Sequence, residues 1–400
     1  MKIVAFVHSL ASCWNNGNAH FQRGVLRELA RAGHDVCVYE AADAWSRSNL
    51  VQDHGSVAAS GFAAAYPEIS LRVHGGDPDL AQAVDDADIV LVHEWNSPAL
   101  VAALGRERRH GHFTLLFHDT HHRAISDPEA MARYDLSEYD GVLAFGAALA
   151  QVYERRGWGR RAMVWHEAAD HRLFHPGAQA APAYAPVVWV GNWGEGERSA
   201  ELAEFLFDPC SAAGVPLDIY GVRYPDEALA ALKARGVMYH GWLGNIAAPA
   251  VLRQALATVH VPRRFYAEQL PGIPTIRVFE ALATGTPLLC APWQDSEGLF
   301  SVGEDFLMAR SGREMTALLC LLRADAALRA QLAKRGRATI LARHTCAHRA
   351  RELLHLVARL RGHDTLGLEA NNDLPMTLDA PAHALARQPG RVAASLRQGT

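Results

Sequence analysis

Short apolar runs, each closed by polar or ionisable residues, recur along the chain and alternate with stretches of helical spacing. Residues 3–7 (Ile-Val-Ala-Phe-Val) form the first such run, of strand length. A loop over 9–18 joins it to an amphipathic helix around 20–32, which Gly33 ends before a second strand at 35–40. A strand–helix–strand opening of this kind predicts a parallel sheet. Further buried strands are predicted at 88–93, 113–117, 141–145 and 163–165, with helices over 97–109 and up to Gly157. Residues 43–68 match neither period and are left without an assignment.

A second series begins at 187–190 and continues with strands at 217–220, 237–240, 259–262, 288–291 and 306–309. Helices are predicted near 198–207, 226–235, 249–257 and 275–284, followed by 313–323, 325–343 and 346–361. Between the two series, residues 177–186 are rich in Ala, Pro and Gly, a linker composition. The organisation read from this is an N-terminal α/β domain over 1–176, the linker 177–186, a second α/β domain over 187–345, a helix over 346–361 and a flexible tail over 362–400. The tail is assigned on its Ala, Pro, Gln and Asn content without periodicity.

Length agrees with two cores, because 400 residues exceed what one ordinary domain holds. The net charge of −4 argues against a general nucleic-acid binder. Six cysteines lie far apart with no Cys-x-x-Cys pair, which predicts free thiols in a reducing compartment. No apolar run approaches the ~20 residues that span a bilayer. The expected setting is therefore a cytoplasmic enzyme without a transmembrane segment, and peripheral contact with a membrane-borne acceptor is left open.

The stretch 275–289 is the most informative. Pro271 and Pro274 hold the approach extended, so a helix is expected to start at Thr275, whose hydroxyl can cap it. Ile276, Phe279, Leu282 and Ala283 share a face, Gly285 ends the helix, and a buried strand follows Pro287. Arg277 and Glu280 are charged residues beside that apolar face. The bland reading of Glu280 is an i,i+3 ion pair with Arg277.

This pattern, Phe-Glu-Ala-x-Ala-x-Gly-x-Pro before an apolar strand, resembles the nucleotide-sugar-binding helix of GT-B glycosyltransferases of the glycosyltransferase-4-like kind. The segment 170–176, with Asp170, Phe174 and Pro176, is similar to the one closing the N-terminal domain in the same family. A second Glu, frequent in the family eight positions before the first, is absent, because Gly272 stands there. The Arg-x-Phe-Glu form is closer to the spore-maturation (CgeB-like) branch. The resemblance implies two Rossmann-like domains facing across a cleft, with a C-terminal helix crossing back to the first. It also implies sugar transfer from a nucleotide-sugar to a carbohydrate or other hydroxyl acceptor, with retained configuration and neither metal nor cofactor.

Carried onto this sequence, the resemblance makes Glu280 the acceptor of hydrogen bonds from the donor's ribose hydroxyls. The loop Gly191-Asn192-Trp193-Gly194 leads to Arg198 between the first strand and helix of the second domain, where glycines allow close approach and a helix N-terminus favours phosphate. Arg277, with Arg263 or Arg264, would meet the charge developing on a leaving diphosphate. Thr275 joins this donor set, and His240 and Gly241 are placed near the nucleobase by analogy.

In the first domain, ionisable residues gather after the strands, on the rim where open α/β sheets bind ligands. His118, Asp119, Thr120, His121 and His122 form the densest group, and the resemblance suggests a histidine touching the donor sugar or the acceptor. His118 and His121 both fit that role, and with 21 histidines any one is more often structural. A metal site is the runner-up for this cluster. His93 and Glu94 form a second group, with Glu94 a base or a binder of acceptor hydroxyls. Asn15, Asn16 and Gly17 are placed near the acceptor by position alone. Two rivals are a nucleotide-sugar epimerase of the same fold and a non-enzymatic two-lobed sugar-binding protein.

Overall fold

The computed structural model describes residues 1–14, 17–76, 78–178, 181–194 and 196–362. Asn15, Asn16 and the predicted tail from 363 onward lie outside the described residues.

The first sheet comprises β1 (Lys2–Val7), β2 (Asp35–Ala41), β3 (Ser70–His74), β4 (Ile89–His93), β5 (Thr114–Asp119), β6 (Gly141–Ala144) and β7 (Ala162–Val164). Their order is β3-β2-β1-β4-β5-β6-β7, and every pairing is parallel. The second sheet comprises β8 (Val187–Val190), β9 (Leu217–Tyr220), β10 (Met238–Tyr239), β11 (Ala257–His260), β12 (Leu288–Cys290) and β13 (Leu307–Met308). Its order is β10-β9-β8-β11-β12-β13, again all parallel. Both are doubly wound sheets whose strand order reverses beside the first strand. Each therefore has a crevice at its carboxyl edge, between β1 and β4 and between β8 and β11. The predicted pair of Rossmann-like domains is what the chain forms.

Several boundaries differ from the sequence reading. The unassigned stretch 43–68 holds a helix at Trp45–His54, a 3-10 turn at Ser56–Ala59 and a short helix at Gly61–Ala65. Strand β3, unread in sequence, is an edge strand with no fully buried residue, so it lacks the apolar run that marks its neighbours. The helix expected over 198–207 continues to Ala213, with a π-helical turn at Ala203–Phe207 ahead of Pro209. A π turn re-spaces the backbone bonds at the point where proline offers no N–H. Thr275 occupies the N-cap of the helix Ile276–Thr284, but its side chain makes no capping bond.

The helix Cys346–Leu360 returns to the first domain, as expected. Thr345 caps it, and Leu353, Leu356 and Val357 are buried. It packs on the helix Asn18–Arg31 at Gly24, where a Cβ would come within 2.5 Å of Cys346 Sγ and 2.8 Å of Asp170 Cβ. Trp165 Nε1 donates to the carbonyl of Arg349, and Arg349 Nε donates to that of His166 (both 2.9 Å). All six cysteines are unpaired. No described helix is long and apolar enough to cross a membrane.

Candidate active site

The carboxyl edges of the two sheets face each other across a cavity of about 400 Å³. From the first domain it is lined by His8 after β1, Trp95 after β4, His121 and His122 after β5, Phe145 after β6 and Glu167 after β7. From the second come Gly191 and Asn192 after β8, Tyr220 and Arg223 around the end of β9, Arg263 after β11, and Thr275 to Arg277 at a helix N-terminus. Both switch points thus open into one space.

The second-domain wall is cationic. Arg198 is half-buried, lies over the Trp189 ring and donates to the carbonyl (2.8 Å) and Oδ1 (2.7 Å) of Asn192. Desolvation, then the neighbouring Arg263, brings its guanidinium down to about 9, and Tyr224 and Glu197 offset this only in part. Arg263 donates to Asn192 Oδ1 at 3.1 Å and pairs with Glu197, which also faces His122 at 3.7 Å. Arg277 lines the cavity and pairs with Glu280.

Glu280 itself does not line the cavity. It is 1% exposed, held between Arg277 on its own helix and His20 of the first domain. Burial pushes its carboxyl up, but Arg277 and His20 together outweigh that and hold it below the ordinary value. The N–H of Asp170 donates to His20 Nε2 at 2.8 Å, which leaves His20 Nδ1 to face Glu280 at 3.2 Å. The pair expected on a partly exposed helix face is instead buried where the two domains meet, with His20 facing its carboxylate from the first domain. The missing second Glu has a backbone reason: Gly272 has φ +86°, and a Cβ there would collide with Ser296 Oγ.

Other donor candidates separate. Gly191, Asn192, Arg198, Arg263, Thr275 and Arg277 share the cavity. Arg264 turns outward to Glu201 (2.6 Å), so of the adjacent arginines only Arg263 faces the cleft. Trp193 packs beside Phe207 and Tyr224, away from the cavity. Gly194, at φ +85°, lets Arg198 lie against its backbone, where a Cβ would sit 2.7 Å from Arg198 Cγ. His240 stacks on Tyr220 and faces Asp218, and Gly241 accepts from the Gly221 N–H (2.7 Å); neither lines the cavity. Trp242 does, beside His54.

On the first-domain wall, strand alternation decides between the histidines. His118 lies on β5 and points to the opposite side, among Phe21, Trp165 and His93, with burial bringing its imidazole down to about 3. His121, beyond the strand end, reaches the cavity, tilted against His122 and edge-on to Trp95. Burial keeps both of these rings neutral, His122 at about 4. Glu94 is a correction: it is buried behind the wall against Arg123 (2.9 Å), where burial and Asp119 push its carboxyl up. Asp119 accepts from Tyr153 Oη (2.6 Å) and the His121 N–H, and His93 Nε2 bonds Thr120 (3.1 Å). Both brace the wall without lining it. The histidines and Asp119 therefore point in different directions, and no metal-holding group of three ligands occurs among the described residues. Gly17 lines the cavity and touches the second domain, where a Cβ would meet Ile276 Cγ2 at 2.8 Å.

The sequence reading passed over His8, His20, Trp45 and Glu167. The carboxyl-rim rule applied after β7, as it was after β5, would have singled out Glu167. His20 becomes visible only through a contact between distant segments.

Residues 198–355 match the family model described as glycosyl transferase-like. None of the curated proteins compared matches the sequence. Among solved structures the chain is similar to sucrose-phosphate synthase from Thermosynechococcus elongatus, at 16% identity over 90% of this chain and 99% of that one, with a TM-score of 0.61. It is also similar to Anabaena HepE in complex with UDP and glucose (14%, 90% and 100%, TM-score 0.60). A third is BGT of T4 phage in complex with its UDP-glucose substrate (12%, 90% and 99%, TM-score 0.55). At these identities the likeness is one of fold. The architecture is GT-B, and the second half of the chain carries an enzyme domain of glycosyltransferase type.

Proposed function

We propose that the protein transfers a sugar from a nucleoside-diphosphate donor to an acceptor hydroxyl inside this cavity. The observation that carries the reading is the cationic wall. Arg198, Arg263 and Arg277 converge on one cavity at the carboxyl edge of the second sheet, and the Glu197 carboxylate offsets the charge of Arg198 only in part. Such a set is suited to an anion that brings its own charge, and a diphosphate leaving group also gains charge as the glycosidic bond breaks. The same wall supports departure of the diphosphate without a bound metal. Two of the similar structures hold UDP or UDP-glucose, which supports a nucleotide-sugar donor.

The first-domain wall takes the acceptor. Trp45 and Trp95, 44% and 37% exposed beside the cavity, offer open rings to a carbohydrate or other ring-bearing alcohol. An acceptor surface favours transfer over epimerisation, which needs none. His121 and His122, neutral at physiological pH, can hydrogen-bond to hydroxyls without adding charge. Much of the rate enhancement then comes from alignment and from electrostatic stabilisation of the leaving group. We assign retention of configuration and the glycosyltransferase-4-like, CgeB-like branch on the Arg277-to-Glu280 motif, and a cytoplasmic setting on the six free thiols.

A thermal-shift panel of UDP, GDP, ADP and CDP on wild type and Arg263→Ala tests the reading, since ligand binding to the native state raises Tm. Stabilisation by one diphosphate that falls sharply in the variant is expected. No stabilisation of folded wild type by any of them would overturn the donor site.

A further inference from the structure

Among the described residues, Glu167 is the one carboxyl that lines the cavity from the first domain. It follows β7 in the segment Trp165-His166-Glu167, is 2% exposed, and its Oε1 has no hydrogen-bond partner among the described residues. A buried carboxyl oxygen left without a partner costs free energy that folding alone does not return. Its surroundings are specific. Ile276 and Arg277 at the N-terminus of the helix Ile276–Thr284 lie against it, Glu280 is close enough to act on it, and Tyr266 flanks it. Glu167 therefore stands where the cationic wall meets the first-domain rim.

Resting on the donor site proposed above, we propose that Glu167 binds hydroxyls of the sugar being transferred, giving one hydrogen bond and accepting another as an uncharged carboxylic acid. In a nucleotide-sugar held by Arg198, Arg263 and Arg277, the sugar is the part between the diphosphate and the acceptor. A group that faces Arg277 from the first domain is at that junction. Charge decides the form of the contact. A carboxylate there would repel both Glu280 and the diphosphate, whereas a neutral acid repels neither and offers both a donor and an acceptor. Burial, followed by the Glu280 carboxylate, raises Glu167 to about 8 against the opposing pull of Arg277 and the Ile276 amide, in keeping with the neutral form. A vicinal pair of sugar hydroxyls, one accepting and one donating, complements such a group, and Oε1 is the atom left for it.

Affinity for a nucleoside diphosphate and for its sugar conjugates separates this role from a structural one. Calorimetry would compare the diphosphate found in the thermal-shift panel with its glucose, galactose and N-acetylglucosamine conjugates. The proteins are wild type, Glu167→Met, which keeps the volume but cannot hydrogen-bond, and Glu167→Gln, which keeps a donor and an acceptor. The sugar should add affinity in wild type. Glu167→Met should lose about tenfold of that gain with the bare diphosphate unchanged, while Glu167→Gln stays within about threefold of wild type. Three results would overturn the proposal: the full sugar increment in Glu167→Met, an equal loss for the bare diphosphate, or no sugar increment in wild type. A wild type that binds no diphosphate overturns the donor site itself, a different outcome from any of these. Should Glu167→Met not fold, a tenfold loss of the increment in Glu167→Gln would count against the neutral-acid contact.

Discussion

Replacing Glu167 by Gln in the unliganded protein should make it more stable, by an amount that depends on pH. A glutamate in the unfolded chain titrates near 4.5, whereas Glu167 in the folded protein is raised to about 8. Between those values the folded state holds a proton that the unfolded state has released. Folding stability therefore falls as pH rises, by about 1.4 kcal/mol per unit. Below 4.5 both states are protonated and the penalty is absent; above 8 it is complete. At neutral pH this amounts to about 3 kcal/mol as a ceiling, because the buried amide of Gln brings unmatched polar atoms of its own. Glu280, Arg277 and Tyr266 face the same group but are common to both proteins, so they cancel to first order. Urea unfolding of both proteins at intervals between pH 4.5 and pH 8 measures the difference. The Gln variant should match wild type at the acid end and pull ahead steadily toward the alkaline end. Parallel curves would refute the reasoning, since they would mean Glu167 is ionised in the fold.

Other outcomes follow from the same geometry. Arg263→Ala should weaken nucleoside-diphosphate binding about tenfold or more in calorimetry, while Arg264→Ala, whose partner is Glu201 outside the cleft, should leave it unchanged. Glu197→Gln removes the carboxylate that now competes for Arg263, so diphosphate affinity should rise by about threefold to tenfold; a fall would show that Glu197 helps to hold the ligand. Gly24→Val should cost about 1–3 kcal/mol in urea unfolding, because the Cβ alone would press on Cys346 Sγ and Asp170 Cβ. An unchanged unfolding free energy would mean the returning helix can shift.

The alternation of buried strands and helices was legible because each sheet is covered on both faces, so most of its strands read as apolar runs. Edge strand β3 escaped for the complementary reason, having no buried face to write a pattern. At the site, the rim rule found His121, Gly191, Arg198 and Arg263, since position after a strand end is local information. It also collected His118, Glu94 and Asp119, which sit within or just beyond the strands and turn behind the wall. A one-residue change of phase decides such cases, and burial on both faces hides that phase. The partner of Glu280 was not legible at all: Arg277 is three residues away, but His20 is far back in the chain.

The chain passes between the domains twice, and the two passages touch. Ala169, just before the first, and Thr345, at the second, form an isolated parallel bridge, with Ala169 N–H donating to His344 and Cys346 N–H donating to Ala169 (both 2.9 Å). Mechanically this is a door hung on two adjacent pins. Sliding one domain over the other would shear both bonds, whereas rotation about a line through them strains neither. His20, tied to Asp170 beside the bridge, carries the joint on to Glu280. The cleft should thus admit and release its ligands by swinging about this axis.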